Sequence, residues 1–488
     1  MKTIRYIMGL LVAFSMTGCN DWFEVSPETQ ISSDDLYSTG NGYRMQVNGI
    51  YKSLSGESLY GKELTWGLVD VLGQYYVKQN MDQVYQNVND RLYETSDVLS
   101  LTDRIWSGMY KVVADCNNII EHVEKAPNSI FENGEGEKCK IHGEALAMRA
   151  FIHFDLLRLF APSPAQNENG TWIPYVKDSE SVINNKMTVK QVLENVERDL
   201  LEAHSLMVQW DSVVTYYENL GGDVIWMWRV MSGFWSGWDE ESEYAEFFGH
   251  QRSRMNMVSV NALLARVYAY MGEKKKAYDV IENTLKMGGS WEQWGFDMMD
   301  WLEQGECRLL GDVMFNLYNK QVGEYYAPYL TTERPLYLRN ITQVFPDRNQ
   351  IDGRFEKLLI RVGTNYASAK NRRTNSDVAY LPVIRKSELY YMKGEYLASV
   401  GRVDEAVELL RTVRSARGDI ATDDLNTITT EAGYVQAMLT DARKEFIAEG
   451  QSFYMFKRLN LPVFDGNQNI DFRNNNYLPV PKSEESAF

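Results

Sequence analysis

Cysteine is scarce, with four in 488 residues, so no disulfide framework organises this chain. Histidine is nearly as scarce, and none of His122, His142, His153, His204 and His250 forms an H-E-x-x-H pair. Cys139-Lys-Ile-His142 has ligand-like spacing, but no second pair completes a four-ligand zinc site, so it reads as a coincidence near a helix start. A Walker loop, a nucleophile elbow and a dinucleotide fingerprint are all missing, which leaves kinase, hydrolase and dehydrogenase readings without support. No apolar run approaches the ~20 residues of a membrane-spanning helix. Positive charge is also in deficit. Lys and Arg number 50 against 67 Asp and Glu, a formal −17, the wrong sign for a phosphate backbone.

What is present is an ordinary globular balance, 44% hydrophobic and 24% charged, with a surplus of rings: 12 Trp, 30 Tyr and 19 Phe. That is more than a core needs, and it predicts that some rings face solvent or a ligand. Residues 1–18 combine Lys2 and Arg5, the apolar run Ile7 to Phe14, and small residues Ser15, Thr17 and Gly18 before Cys19. This is the layout of a cleaved secretion signal. Gly18-Cys19 resembles a bacterial lipobox, which predicts lipidation at Cys19 and a soluble body held to a bilayer by its acyl chains. Three cysteines then remain, Cys116, Cys139 and Cys307, enough for at most one internal bridge.

The body reads as all-α. Ile105, Met109, Val112, Val113, Cys116, Ile119 and Ile120 recur at spacings of three and four, a second helix covers Glu144 to Phe160, and a third runs from Val189 to Leu206. Leu264, Ala265, Tyr268, Gly272, Ala277, Ile281 and Thr284 fall on tetratricopeptide key positions, and Gly394, Leu397, Gly401, Ala406, Leu410 and Val413 repeat the frame. Long loops are expected at 207–255 and 288–385, and function is expected there.

Aromatic residues gather in three places. Trp226, Trp228, Phe234, Trp235 and Trp238 are followed by Asp239, Glu240, Glu241 and Glu243; the rings suit either packing or ligand contact. The acidic run suits a solvated face or a calcium-attracting patch rather than a glycosidase pair, since adjacent carboxylates rarely face each other across a sugar. A second group is Trp291, Trp294, Phe296, Trp301, Tyr318, Tyr325, Tyr326 and Tyr329. A third is Trp66, Tyr75, Tyr76, Tyr85 and Tyr93, interleaved with Gln74, Gln79, Asn80, Asp82 and Asn87. Rings beside amides and carboxylates suit sugars, which offer an apolar C–H face and hydroxyls. Trp66, Tyr75, Tyr76, Tyr85, Trp291, Trp294 and Tyr325 are the ligand-binding candidates.

Six ordered segments resemble the SusD/RagB family of outer-membrane lipoproteins. They are Asp21-Trp-Phe-Glu-Val-Ser-Pro-Glu-Thr29; Trp106-Ser-Gly-Met-Tyr110 with Asp115-Cys-Asn-Asn-Ile-Ile120; Glu144 to Phe160; Ser387-Glu-Leu-Tyr-Tyr391; Arg443 to Phe453 with Lys457-Arg458; and Leu478-Pro-Val-Pro-Lys-Ser-Glu484. The resemblance implies a SusD-like helical body whose tetratricopeptide-like pairs support irregular ligand-binding loops. It divides the chain into a signal at 1–18, an N-terminal region at 19–255 and a C-terminal region at 256–488, the last two forming one body. It implies no catalysis. The implied role is capture of oligosaccharides at the cell surface and delivery to a SusC-like TonB-dependent barrel. Peptide cargo, or service as a transporter lid with no ligand contact of its own, stays open beside it. Within the motifs, Glu445 and Glu449 with Arg443 and Arg458 are expected to form helix-face ion pairs, and Arg149 and Asp155 to tie helices together. No cofactor is expected; a structural calcium is left open.

Overall fold

The structure is a computed structural model that describes residues 33–166, 169–179, 185–211, 253–286, 296, 298–299, 302, 305–346, 352–419 and 422–481. Cys19, the ring-rich run 226–238, the acidic cluster 239–243, Trp291, Trp294 and Trp301 lie outside the described residues.

Helix α1 (Gly40–Leu54) starts at Thr39, whose hydroxyl accepts from the Gly42 amide. The short helices α2 (Leu68–Leu72) and α3 (Gln83–Asn89) follow, then the long helices α4 (Ser96–Lys125), α5 (Gly134–Phe160) and α6 (Val189–Asp211). α5 is buried on nearly every face from Ala145 to Phe160, because α4 packs on one side of it and α6 on the other. Arg149 joins the three: its Nε donates to Asp199 of α6 at 2.7 Å and its Nη1 to Asn117 of α4 at 3.0 Å. Asp155 accepts from Tyr60 and Arg158, so it fastens α5 to the loop after α1.

The first repeat is the pair α7 (Met257–Met271) and α8 (Lys274–Lys286). Asn256 and Ser259 form a reciprocal capping box at its start, and Gly272 turns the chain at φ +81°. Ala277, Ile281 and Thr284 are buried where the helices meet. After strand β1 (Val313–Tyr318), the one-turn helix α9 (Val322–Tyr326), helix α10 (Gly353–Leu358), strands β2 (Leu359–Val362) and β3 (Asn365–Ser368), and strand β4 (Tyr380–Arg385) comes the second repeat, α11 (Lys386–Ser399) and α12 (Val403–Ala416). Helices α13 (Glu431–Glu445) and α14 (Ser452–Arg458) complete the helical part. In space α6 packs on α7, α8 on α11 and α11 on α13. The pairs thus form one stack although the chain leaves it twice.

The span 288–385 differs from the loop expected there. β1 pairs antiparallel with β4, Tyr318 opposite Tyr380 and Val313 opposite Arg385, and β2 pairs with β3 through a turn at Gly363 and Thr364. β1 and β4 are buried along almost their whole length, so neither shows the alternation that marks a half-exposed strand.

The ion pairs of the Arg443–Phe453 motif also differ from expectation, because they cross between elements instead of running along one helix. Glu445 accepts from Arg417 at 2.7 Å and Arg354 at 3.4 Å, while Glu449 accepts from Arg385 at 2.6 Å and Lys370 at 2.7 Å. Burial opposes charge on Glu445, yet Arg417 and Arg354 hold its carboxyl well below the usual carboxylate range. Arg443 donates to the Gly73 and Gln74 carbonyls, and Arg458 pairs with Glu395. Cys116, Cys139 and Cys307 form no disulfide among the described residues. No described helix is long and apolar enough to cross a membrane.

Candidate ligand-binding rim

Apart from α2, the chain from Ser55 to α3 is compact loop, closed by tight backbone turns. Tyr76 donates its hydroxyl to the Trp66 carbonyl at 2.8 Å, and Asp70 accepts the Ala448 and Gly450 amides at 2.8 and 3.0 Å. Ala448 and Gly450 both hold positive φ, 61° and 69°, which aims their N–H groups at one carboxylate. Burial pushes the Asp70 carboxyl up to about 8 against these two bonds. Val77 N–H reaches the Tyr337 carbonyl and Arg339 N–H the Tyr75 carbonyl. These two bonds bring the segment after β1 over the loop.

Rings from two of the sequence's aromatic groups therefore converge. Trp66 meets Tyr326 edge-on at 4.9 Å and Tyr329 at 5.2 Å, and Tyr85 lies 6.5 Å from Tyr329. The convergence is internal, however. Trp66, Tyr75, Tyr76 and Tyr85 are 0–2% exposed, so none of the four offers a face for a ligand to stack on. The tyrosine hydroxyls are also committed: Tyr75 to the Arg443 carbonyl at 2.9 Å and Tyr85 to Glu63 at 3.0 Å. They form the floor beneath a rim.

Apart from Tyr325 and Tyr318, the rim itself consists of residues that sequence patterning passed over or named only as neighbours. Arg334, half exposed, clasps Asp82 with two N–H groups, Nε to Oδ1 at 3.0 Å, and its guanidinium lies 5.0 Å above the Tyr329 ring. Lys62 sits 5.4 Å above the same ring and 3.3 Å from Glu63 and Glu57. Tyr325, half buried, donates to Gln321 at 2.9 Å. Where the β1–β4 ladder ends, Tyr318 is 43% exposed and meets Tyr380 edge-on at 5.2 Å. Asn319 ties this edge to the loop through the Ser55 carbonyl at 2.7 Å. Tyr325 is thus the one described candidate that reaches the surface, and Tyr318 joins it from the same aromatic group. Tyr380 and Arg334 carried no signal in sequence, because each gains its place only when strands or segments distant in the chain meet. Planar donors and acceptors beside exposed ring faces can stack on an apolar C–H face and fix hydroxyls. Among the described residues no cluster of His, Cys, Asp and Glu is arranged to hold a metal ion.

Two family models match the chain, one described as "Starch-binding associating with outer membrane" over residues 24–218 and one as the SusD family over residues 270–485. SusD-like protein P38 of Formosa agariphila is 20% identical across 95% of this chain and 92% of its own length. SusD-like protein P25 of the same organism is 22% identical over 34% of the chain, a match that spans 32% of P25. Among solved structures, a SusD superfamily protein from Bacteroides thetaiotaomicron superposes with a TM-score of 0.69 at 22% identity, covering 92% of this chain and 98% of that one. A SusD-like carbohydrate-binding protein from Bacteroides vulgatus gives 0.64 at 16% identity, covering 92% and 96%. The two models meet the chain on either side of one continuous helical stack, and that same stack superposes on the solved structures: the chain belongs to the SusD/RagB family.

Proposed function

We propose that this protein is a non-enzymatic lipoprotein of the outer membrane that captures oligosaccharides and passes them to a TonB-dependent barrel. Family membership supports the class of role, and Gly18-Cys19 supports a lipid anchor at the cell surface. The observation that carries the choice of a carbohydrate is the rim: Tyr318, Tyr325 and Tyr380 supply ring faces, Gln321 bonds the Tyr325 hydroxyl, and Arg334 and Asp82 supply planar polar groups at the Tyr329 ring. Stacking plus a few hydrogen bonds gives the modest affinity that a hand-over to a second protein needs.

The test is calorimetry of purified protein against plant, host and microbial glycans and a peptide pool, with product analysis alongside. Saturable binding without cleavage is expected for a glycan. Changing Tyr318, Tyr325 and Arg334 together to Ala should weaken that binding by about tenfold or more. Binding of peptides alone would reassign the cargo, and a silent panel would assign the chain to a lid that leaves ligand contact to its barrel.

A further inference from the structure

Asp82 stands just before the first turn of α3, a position from which a carboxylate ordinarily turns back to bond the helix amides. It makes no such bond. It is turned instead to Arg334, whose Nε donates to one carboxylate oxygen at 3.0 Å and whose Nη2 donates to the other. The Tyr329 hydroxyl closes the cluster, accepting from Arg334 Nη2 at 3.3 Å and donating to Asp82 at 3.5 Å. One whole edge of the guanidinium and both oxygens of Asp82 are thus committed to each other, the bidentate pairing that a planar fork makes best. The clasp is still within reach of a ligand. Its two side chains are 50% and 26% exposed, and Tyr325 stands about one turn ahead of Tyr329 on the helical segment 322–330. The other cations of the rim are paired in the same way. Lys62 lies 3.3 Å from Glu57 and from Glu63, and Arg373, packed against α9, lies 3.7 Å from Glu324. With Asp82, Arg334 and the exposed Lys320 and Glu333, the acids of residues 55–63, 82, 318–334 and 373 outnumber the bases five to four.

We propose that Asp82 is a specificity-determining residue of the rim: by occupying Arg334 it reserves the rim for uncharged saccharides and turns away those that carry carboxylates or sulfates. The inference rests on the carbohydrate reading of the rim and adds to it the class of saccharide. An anionic sugar gains little from a guanidinium whose fork is already filled, and it meets the like charge of Asp82. An uncharged sugar meets neither obstacle. Its hydroxyls can donate to the lone pairs that the clasp leaves on Asp82 and accept from Arg334 Nη1, which takes no part in the pairing with Asp82. Discrimination of this kind is a repulsion built into the site, so removing one charge should create a binding preference that the protein lacks. Asp82→Asn is that change, because it keeps the shape and a planar acceptor while it leaves Arg334 without its counter-charge. A partly exposed ion pair contributes little to stability, so the variant should melt close to wild type.

The experiment is calorimetry of the purified protein with glucan, mannan, galactan and xylan oligosaccharides. Each is used unmodified, lightly hydroxyethylated and lightly carboxymethylated, so that the last two match in size and differ in charge. Wild type should bind the carboxymethyl form of its preferred sugar about tenfold or more weakly than the hydroxyethyl form. In Asp82→Asn the neutral forms should weaken modestly and the carboxymethyl form should tighten, narrowing that ratio by about tenfold or more. The gained binding should fall as salt rises and should vanish in the double variant Asp82→Asn, Arg334→Gln. Equal or tighter binding of the charged form by wild type, an unchanged ratio in Asp82→Asn, or a gain that persists in the double variant overturns the role of Asp82. The rim reading survives each of these results provided that neutral binding is lost when Tyr318 and Tyr325 are both changed to Ala. Neutral binding that withstands that change overturns the rim reading itself, and silence with every form overturns both.

Discussion

At the scale of single residues, His153 shows how a buried ring can set the acid limit of the fold. Its Nε2 accepts the Val176 amide at 3.0 Å, so the proton sits on Nδ1, which donates to the Arg149 carbonyl at 2.9 Å. The Tyr175 ring stacks on it at 3.9 Å. Burial is the main cause that lowers its pKa to about 3, with the Arg149 charge adding to it. The sign follows from linkage. Between pH 6.5 and about 3 the unfolded chain binds a proton at this position and the folded chain does not, so stability falls as pH falls across that window. The slope approaches about 1.4 kcal/mol per pH unit at most. A His153→Gln variant has no such titration. Its urea-unfolding free energy, subtracted from that of wild type at each pH, should therefore shrink the wild-type advantage steadily from pH 7 to pH 4. Parallel curves would show that another group governs acid unfolding.

At the scale of elements, the two glycines of the second repeat separate close packing from backbone conformation. Gly394 lies where α11 meets α13, and a Cβ there would overlap the Tyr434 hydroxyl, which donates to the Tyr391 carbonyl at 3.2 Å. Gly401 turns α11 into α12 at φ +82°, with open space around it. Gly394→Ala should cost about 3 kcal/mol through overpacking and a displaced hydrogen bond, and Gly401→Ala only about 1 kcal/mol through strain. Thermal melts of the two variants test the order, and an equal drop would refute the packing account. Both glycines were legible in sequence, because a helix pair writes its small residues and its 3.6-residue period into one short window. The β1–β4 ladder was not legible, since Phe315 and Ile384 meet only after the chain closes across the intervening turns. The rim was half legible for the same reason. Polar neighbours such as Gln79 and Asp82 truly lie near Trp66 in sequence, but nothing local reveals that Tyr326 and Tyr329 roof over its ring. Ring density thus marked where rings gather, and burial removes four of the five described candidates from contact with a ligand.

At the scale of the molecule, the regions 19–255 and 256–488 share their polar anchors as well as their apolar core. Tyr268 of the first repeat donates to Glu197 at 2.9 Å, and the Asp211 carboxylate accepts the Met257 amide at 2.8 Å. At the other end of the stack, Lys457 donates to the Arg158 and Ala161 carbonyls at 2.7 Å, and Leu478 N–H to the Leu159 carbonyl at 2.8 Å. The Arg158 guanidinium lies 3.8 Å from the centre of the Tyr454 ring. A single hydrophobic cluster runs from Tyr43 through Phe151 and Val258 to Leu478 without a break at the seam. Cutting the chain at 255 would expose that cluster on both pieces and strand Asp70 and Arg443, each buried and each satisfied from across the cut. A group left in that condition costs about 1–3 kcal/mol, more when charged, which against a net stability of about 5–15 kcal/mol leaves neither piece a folded state of its own. Scanning calorimetry of the intact protein should accordingly show one transition whose calorimetric and van't Hoff enthalpies agree. The separate pieces 19–255 and 256–488 should show no cooperative transition. Two resolved transitions in the intact chain, or a cooperative melt of either piece, would mean that the rim, which draws Tyr325 and Arg334 from one region and Lys62 and Asp82 from the other, is assembled by docking of two stable bodies and not by folding.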